Sequence, residues 1–203
     1  MVTDGTASPW RSRQAPIRLG AIVALALAIA FVVWLVVRGN DNSSSTPTTS
    51  SKPTPGKTTP KTRETIRAAT PRSLRVLARA SGHPIYWAGP QASVKYELTQ
   101  VTDGRIYIRY LPKGVPIGDR RAAYLIVATY PVQNAYKAVR TAAKESGAVT
   151  FRTKRGGLAV YNRSAATNVY YAFPGSKYQV EVFDPSPGRA AKLVRTGAIR
   201  PIA

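Results

Sequence analysis

The chain has 203 residues, of which 30 are Lys or Arg, nine are Asp or Glu and none is Cys, giving a formal net charge of +21. Without cysteine the chain can form no disulfide, thiolate nucleophile, iron–sulfur cluster or Cys-based zinc site. The basic excess predicts attraction to anionic surfaces, which ordinary salt screens beyond a Debye length of about 8–10 Å.

The first predicted element is a membrane-spanning helix. From Leu19 to Val37 there is no charged or strongly polar side chain, and Arg18 and Arg38 flank the run. A helix of this length spans about 28 Å, close to the roughly 30 Å hydrocarbon core of a bilayer. A cleaved signal peptide is the alternative, but the run exceeds the usual length of about 7–15 residues and no A-x-A site follows it. We therefore predict an uncleaved, single-pass signal anchor.

The flanking charges predict the orientation of this anchor. Arg11, Arg13 and Arg18 precede it and only Arg38 closely follows it, and cytoplasmic flanks usually carry the excess of Lys and Arg. Residues 1–18 are therefore predicted to be a short basic cytoplasmic tail, which leaves the rest of the chain after the span outside the cytoplasm.

A stalk and one domain are predicted after the anchor. Residues 38–63 are rich in Ser, Thr and Pro and contain no aliphatic or aromatic residue. Such a segment cannot bury apolar area to offset the entropy of ordering, so we predict a disordered stalk. Residues 64–203 form the predicted extracytoplasmic domain, which has 22 Lys and Arg against seven Asp and Glu and thus a net charge of +15.

The domain is predicted to contain an early helix and a hairpin. Thr70 is a favourable N-cap, Pro71 suits the first helical position and Gly82 provides a stop. Apolar and polar residues then alternate over residues 94–99 and 105–110, and a three-residue loop that ends at Gly104 would keep the apolar residues on one face. The predicted pairs are Leu98 with Ile108 on the inner face and Glu97 with Arg109 on the outer, solvent-facing side.

The remaining pattern predicts an α+β domain, with a mainly antiparallel sheet packed by about three helices. Its elements are a short strand at 85–87, a central strand at 123–130, a helix from Pro131 to Ser146, strands at 149–153, 158–161, 169–173 and 178–183, and a helix from Arg189 to Thr196. Both of the later helices contain the sequence Val-Arg-Thr. This suggests a possible ββββα duplication, with the helices packed on one face of the sheet.

The sequence contains no recognisable catalytic or metal-binding set. His83 is the only histidine, and no candidate nucleophile or orienting carboxylate lies near it, so we interpret it as a structural residue. Calcium-loop, P-loop, G-x-S-x-G and H-E-x-x-H motifs are absent. We therefore predict no catalytic residue, no metal site and no cofactor.

The candidate binding residues are basic and aromatic. Arg and Tyr interleaved on a sheet face can stack on sugars or bases and hold phosphates, and an Arg strip on a helix can face lipid headgroups. The candidates are Arg105, Tyr107 and Arg109 on the hairpin, Arg72, Arg75 and Arg79 on the first helix, and Lys154 and Arg155 in a predicted turn. The alternative interpretation is a charged face that only water contacts.

These features favour a non-enzymatic binding or interaction module of the cell envelope, tethered to the bilayer through Leu19 to Val37. The expected partners are anionic wall polymers, anionic lipids or an envelope protein. An envelope hydrolase or transferase with dispersed carboxylates is the second hypothesis. A nucleic-acid binder is the third, because the predicted location holds little nucleic acid.

Overall fold

The computed structural model describes residues 63–203. Within this range no helix is both long and apolar enough to cross a bilayer. The predicted cytoplasmic tail, membrane span and stalk lie outside the described residues, apart from Arg63 at the end of the predicted stalk.

The described residues form an α+β domain, as predicted. Its elements are β1 (Glu64–Ala69), α1 (Pro71–Ala80), β2 (Tyr86–Trp87), β3 (Val94–Val101), β4 (Ile106–Pro112), β5 (Ile126–Pro131), α2 (Ala135–Ala142), β6 (Ala148–Arg152), β7 (Leu158–Asn162), β8 (Asn168–Ala172), β9 (Tyr178–Phe183), α3 (Arg189–Thr196) and β10 (Arg200–Pro201). A short 3-10 turn (Arg163–Ala165) links β7 to β8.

Eight strands form one sheet in the order β1-β3-β4-β5-β9-β8-β7-β6, and each neighbouring pair is antiparallel. The four strands from the first half of the domain are contiguous, and so are the four from the second half. The halves meet where β5 pairs with β9. The remaining strands, β2 and β10, form a separate two-stranded sheet. The possible duplication stays a prediction.

The helices pack on both faces of the sheet, so the expectation of a single helical face is wrong. Side chains alternate along a strand, and β8 accordingly contributes to two cores. Val169 and Tyr171 belong to the larger core, together with buried residues of α1 and α3. Tyr170 and Ala172 lie on the opposite face with the buried side of α2. The second half of the sheet is thus covered on both sides.

The start of α1 follows the predicted capping chemistry. Thr70 has extended backbone dihedrals, and its side chain accepts a hydrogen bond from the Ser73 amide at 3.1 Å. Ser73 returns the contact, since its hydroxyl accepts from the Thr70 amide at 2.9 Å. Two amides that the helix leaves unpaired are therefore satisfied. Leu74 then points inward and is fully buried, which stabilises the fold by about 1.5–3 kcal/mol.

The register of the β3–β4 hairpin is confirmed. Leu98 pairs with Ile108 and Glu97 with Arg109. Gly104 has a φ of +87°, in the left-handed region that suits glycine, and its amide donates to the Val101 carbonyl at 2.9 Å. The apolar pattern therefore predicted the pairing of these two strands residue by residue.

Several elements differ from the sequence prediction, including β10, which was not predicted, and the end of α2, which was predicted at Ser146 and lies at Ala142. Strand β1 was not predicted, because Glu64–Ala69 is almost wholly exposed and shows no apolar alternation. Helix α2 begins after Asn134, not at Pro131. Pro131 still pairs with Tyr178 of β9, and Asn134 has a φ of +57°, so the chain turns before it becomes helical.

Candidate functional site

The structure distributes the eight candidate residues over three separate places. Strand β4 is third in the sheet and β7 is seventh. At about 4.8 Å per strand, the hairpin group and the β6–β7 turn are therefore roughly 19 Å apart. The three basic groups do not form one site, and each has its own surroundings.

On the hairpin, Arg109 is tightly bound to protein oxygens. Its Nη1 lies 2.6 Å from Glu97 Oε1 and 2.6 Å from the Asp119 carbonyl oxygen, and its Nη2 donates to the Arg121 carbonyl oxygen at 3.0 Å. The Glu97 side chain is only 1% exposed and that of Arg109 13%. The predicted pairing is correct, but its predicted exposure is wrong, because the loop between β4 and β5 covers the pair.

That loop is itself held by charge. Arg121 donates to the Asp119 carboxylate through both Nε and Nη2, the latter at 2.7 Å. These hydrogen bonds lower the pKa of Asp119 to about 2. The guanidinium carbons of Arg109 and Arg121 also lie over the Tyr124 ring, at 5.4 and 5.7 Å from its centroid. Arginine and tyrosine therefore meet here around carboxylates.

The other two hairpin candidates are also engaged within the fold. Arg105 forms a salt bridge with Asp103 at 2.7 Å, and its Nη1 lies 3.4 Å from the Tyr107 hydroxyl oxygen. The half-buried Tyr107 ring packs edge-on against Tyr130, with ring centroids 5.6 Å apart. Tyr107 thus links a surface ion pair to the interior of the sheet.

A buried carboxyl group lies behind Tyr107. Glu181, on β9, accepts hydrogen bonds from Asn168 at 2.6 Å, from the Tyr170 hydroxyl at 3.0 Å and from the Tyr130 hydroxyl. Burial raises the pKa of Glu181 above its ordinary value, while these three hydrogen bonds act in the opposite direction. The three donors satisfy a group that would otherwise destabilise the centre of the sheet.

This tyrosine–carboxyl network was not predicted from the sequence. Its members come from three strands and meet only because the β5–β9 and β8–β9 registers bring them together. One usable signal was the position of Glu181 within an otherwise buried strand, because a carboxyl group at such a position requires partners. The partners themselves carry no local motif.

On α1 the three arginines form an exposed strip. Arg72, Arg75 and Arg79 fall within an arc of about 60° on the helix surface, opposite Leu74. All three are exposed, and Val76 beside them is 61% exposed. None of them pairs with a carboxylate among residues 63–203. This strip is therefore available to a partner.

The β6–β7 turn carries the third group, and its backbone geometry is closely fixed. The Thr153 amide donates to the Gly157 carbonyl oxygen and the Gly157 amide to Thr153 Oγ1, both at 2.9 Å. A Cβ at Gly157 would lie 2.9 Å from the Ala172 carbonyl oxygen, so only glycine fits there. Lys154 and Arg155 are exposed at the tip.

The turn lies against the end of α3. A recess there has about 10 Å³ of room for a water-sized group, and the residues that line it include Lys154, Arg155, Tyr171, Val194 and Gly197. The recess contains no carboxylate, and neither does the wider surface depression near α2 that includes Asn134 and Lys177.

No metal centre emerges from the described residues, where no group of three or more His, Asp or Glu side chains could hold an ion. His83 stacks on the Tyr178 ring with centroids 4.7 Å apart, and its Nδ1 lies 3.2 Å from the Pro84 carbonyl oxygen. Comparisons with family models, curated proteins and solved structures found no match for the chain.

Proposed function

We propose that this chain is a non-enzymatic, membrane-anchored binding module of the cell envelope, which engages anionic surfaces through its unpaired cations. The proposed anchor is the apolar run from Leu19 to Val37, with residues 38–63 as the stalk and the domain outside the cytoplasm. In this arrangement the domain meets anionic wall polymers and lipid headgroups, and nucleic acid is a poor candidate.

The observation that supports the proposal is that most basic side chains of the described domain have no carboxylate partner. The described residues contain 23 Lys and Arg and seven Asp and Glu. Four carboxylates pair with arginine and a fifth is buried: Glu97, Asp103, Asp119, Asp184 and Glu181. Only Glu64 and Glu145 stay exposed without an ion pair. Subtracting the four paired arginines from 23 leaves 19 basic side chains without a carboxylate partner among residues 63–203.

Unpaired surface cations produce a field that attracts polyanions and accelerates their association. Glycosidase-type chemistry, one form of the hydrolase or transferase alternative, needs two converging carboxyl groups, yet the recess and the depression described above are lined by none. Glu181 is 7% exposed and surrounded by tyrosines, which supports a structural role for it. The geometry therefore supports binding better than hydrolysis.

The test uses the full chain in nanodiscs of neutral phosphatidylcholine. We expect binding to a poly(glycerol phosphate) polymer and not to neutral dextran, with affinity falling roughly tenfold between about 50 and about 200 mM NaCl. At a fixed salt concentration, the triple variant R72E/R75E/R79E should bind the polymer more weakly than the native chain. The double variant E64Q/E145Q should not. Absence of binding, or binding that salt does not change, would contradict the proposal.

A second measurement tests the orientation. Protease added to intact cells should degrade the C-terminal domain of a chain that carries an epitope tag at Ala203. Protection of the tag until the membrane is permeabilised would place the domain in the cytoplasm and overturn the envelope assignment.

A further inference from the structure

One of the side chains that line the recess between the β6–β7 turn and the end of α3 has an unsatisfied hydroxyl group. Tyr171 is 2% exposed, and its hydroxyl has no hydrogen-bond partner among the described residues. A buried hydroxyl without a partner costs free energy that a bound acceptor would recover. Tyr171 also lines the recess, so an acceptor that enters the recess lies beside this side chain.

Two cations stand at the opening of this recess. Lys154 and Arg155 line it, and neither pairs with a carboxylate among residues 63–203. Burial raises the pKa of Tyr171 well above its usual value, and the charge of Arg155 acts in the opposite direction. Burial likewise raises the pKa of Tyr86, again opposed by Arg155. The guanidinium group is therefore within electrostatic range of both phenols, which remain protonated donors at neutral pH.

The end of α3 opposes an anion only weakly. A helix C-terminus carries the equivalent of about half a negative charge. Arg195, in the last turn, places its guanidinium carbon 4.2 Å from the centre of the Phe151 ring, and Lys154 packs its side chain against Gly197. Two whole positive charges thus lie beside the partial negative one.

We propose that this recess is a phosphate-binding site: one phosphate oxygen enters it and accepts a hydrogen bond from Tyr171, while Lys154 and Arg155 neutralise the charge at the mouth. The available space of about 10 Å³ suits a single oxygen atom. A planar guanidinium and an ammonium group are the side chains that bind phosphate in proteins. The inference deepens and rests on the proposed function, because it names phosphate as the anionic group recognised.

In the experiment, inorganic phosphate is titrated into the full chain in neutral nanodiscs, and the binding affinity is measured by titration calorimetry. We expect R155A to weaken phosphate binding at least about tenfold, because a charge-assisted contact is lost. Y171F should weaken it about threefold to tenfold, because it removes one hydrogen bond and no charge. Circular dichroism of each variant checks that the fold is intact.

The matched control is Tyr124→Phe. The Tyr124 hydroxyl is also buried without a hydrogen-bond partner in the described domain, and two arginines lie over its ring. Those arginines, however, are paired with Glu97 and Asp119. Y124F should therefore leave phosphate affinity unchanged. Equal losses in Y124F and Y171F would show a general effect of removing a phenol and would overturn the site.

The remaining outcomes separate the site from the wider function. If Y171F binds phosphate as well as the native chain, the recess holds only water and the proposal is wrong. If polymer binding persists without any phosphate binding, the site fails and the proposed function stands. If phosphate binds and the polymer does not, the phosphate site stands and the proposed polymer-binding function fails. Parallel titrations with glycerol 3-phosphate and with phosphatidic acid vesicles identify whether the phosphate comes from a soluble group or from lipid.

Discussion

Arginine and tyrosine meet at two places in this domain, on the hairpin face of β4 and at the β6–β7 turn. On β4, Arg105 is paired with Asp103 and Arg109 with Glu97. The Tyr107 ring beside them packs against Tyr130, whose hydroxyl donates to Glu181. At the turn, Arg155 and Tyr171 line a recess that contains no carboxylate. The same residue types therefore form a closed network in one place and an open one in the other.

The difference shows that a basic residue cannot be assigned to binding from its type and spacing alone. The hairpin group had the clearer sequence pattern, with Arg and Tyr alternating on one face, yet the fold directs its arginines toward protein oxygens. In the sequence, the turn group shows only two adjacent cations, Lys154 and Arg155. What distinguishes the two is the position of carboxylates brought in from other strands and loops.

The largest expected effect on stability comes from removing Arg109 from the closed network on β4. R109A leaves Glu97 buried without its cation, so we expect the free energy of unfolding to fall by about 3–5 kcal/mol. The matched control is R105A, whose ion pair is partly exposed and should contribute less than about 1 kcal/mol. Urea unfolding followed by near-UV circular dichroism measures both. Equal losses in the two variants would contradict the assignment of Arg109 to the interior.

A smaller effect is expected at Glu181, with a characteristic pH dependence. The raised pKa means that the folded chain holds this proton to higher pH than the unfolded chain, whose value is about 4.5. Its contribution to stability is therefore greatest below about pH 4.5 and declines as pH rises through the folded pKa.

Substituting this group tests the assignment directly. E181Q should cost about 1–3 kcal/mol, because the amide cannot accept from all three donors, and should remove the associated slope. Unfolding is measured at several pH values between about 4 and about 8. An unchanged slope in E181Q would assign the pH dependence to another group.

The smallest effect is expected in the open network. Y171F removes a buried hydroxyl that no described protein atom satisfies, so in phosphate-free buffer we expect a gain of a few tenths to about 1 kcal/mol. The same urea measurement applies. A loss greater than about 1 kcal/mol would mean that the hydroxyl already has a stabilising partner, and the closed and open networks would then no longer differ.

The sequence predicted those parts of the fold in which a short pattern determines the structure. The β3–β4 register followed from apolar alternation and Gly104, and the start of α1 from Thr70 and Pro71. Strand β1 was missed because both of its faces are exposed and its pairing with β3 leaves no periodic signal. The start of α2 was misplaced because Pro131 takes part in a sheet whose partner strand lies much later in the chain.

The candidate sites were less predictable for a related reason. The burial of Glu97 depends on a loop folding over it, and no alternation pattern encodes that cover. The side chains of Tyr130, Tyr170 and Tyr171 look alike in sequence, yet two donate to Glu181 and the third lines a basic recess. These differences arise from strand order and helix placement, which single-residue patterns do not contain.

The junction between the two halves of the sheet has a consequence for how quickly the domain can fold. Each half is a run of strands joined mostly by short connections, whereas β5 meets β9 across about 50 intervening residues, a separation that slows folding. We expect the β5–β9 ladder to form last, so that the edge of β5 stays unpaired until β9 has been synthesised. Pulsed hydrogen exchange during refolding would detect this order as late protection of the Ala128 and Glu181 amides, which face each other across the β5–β9 ladder.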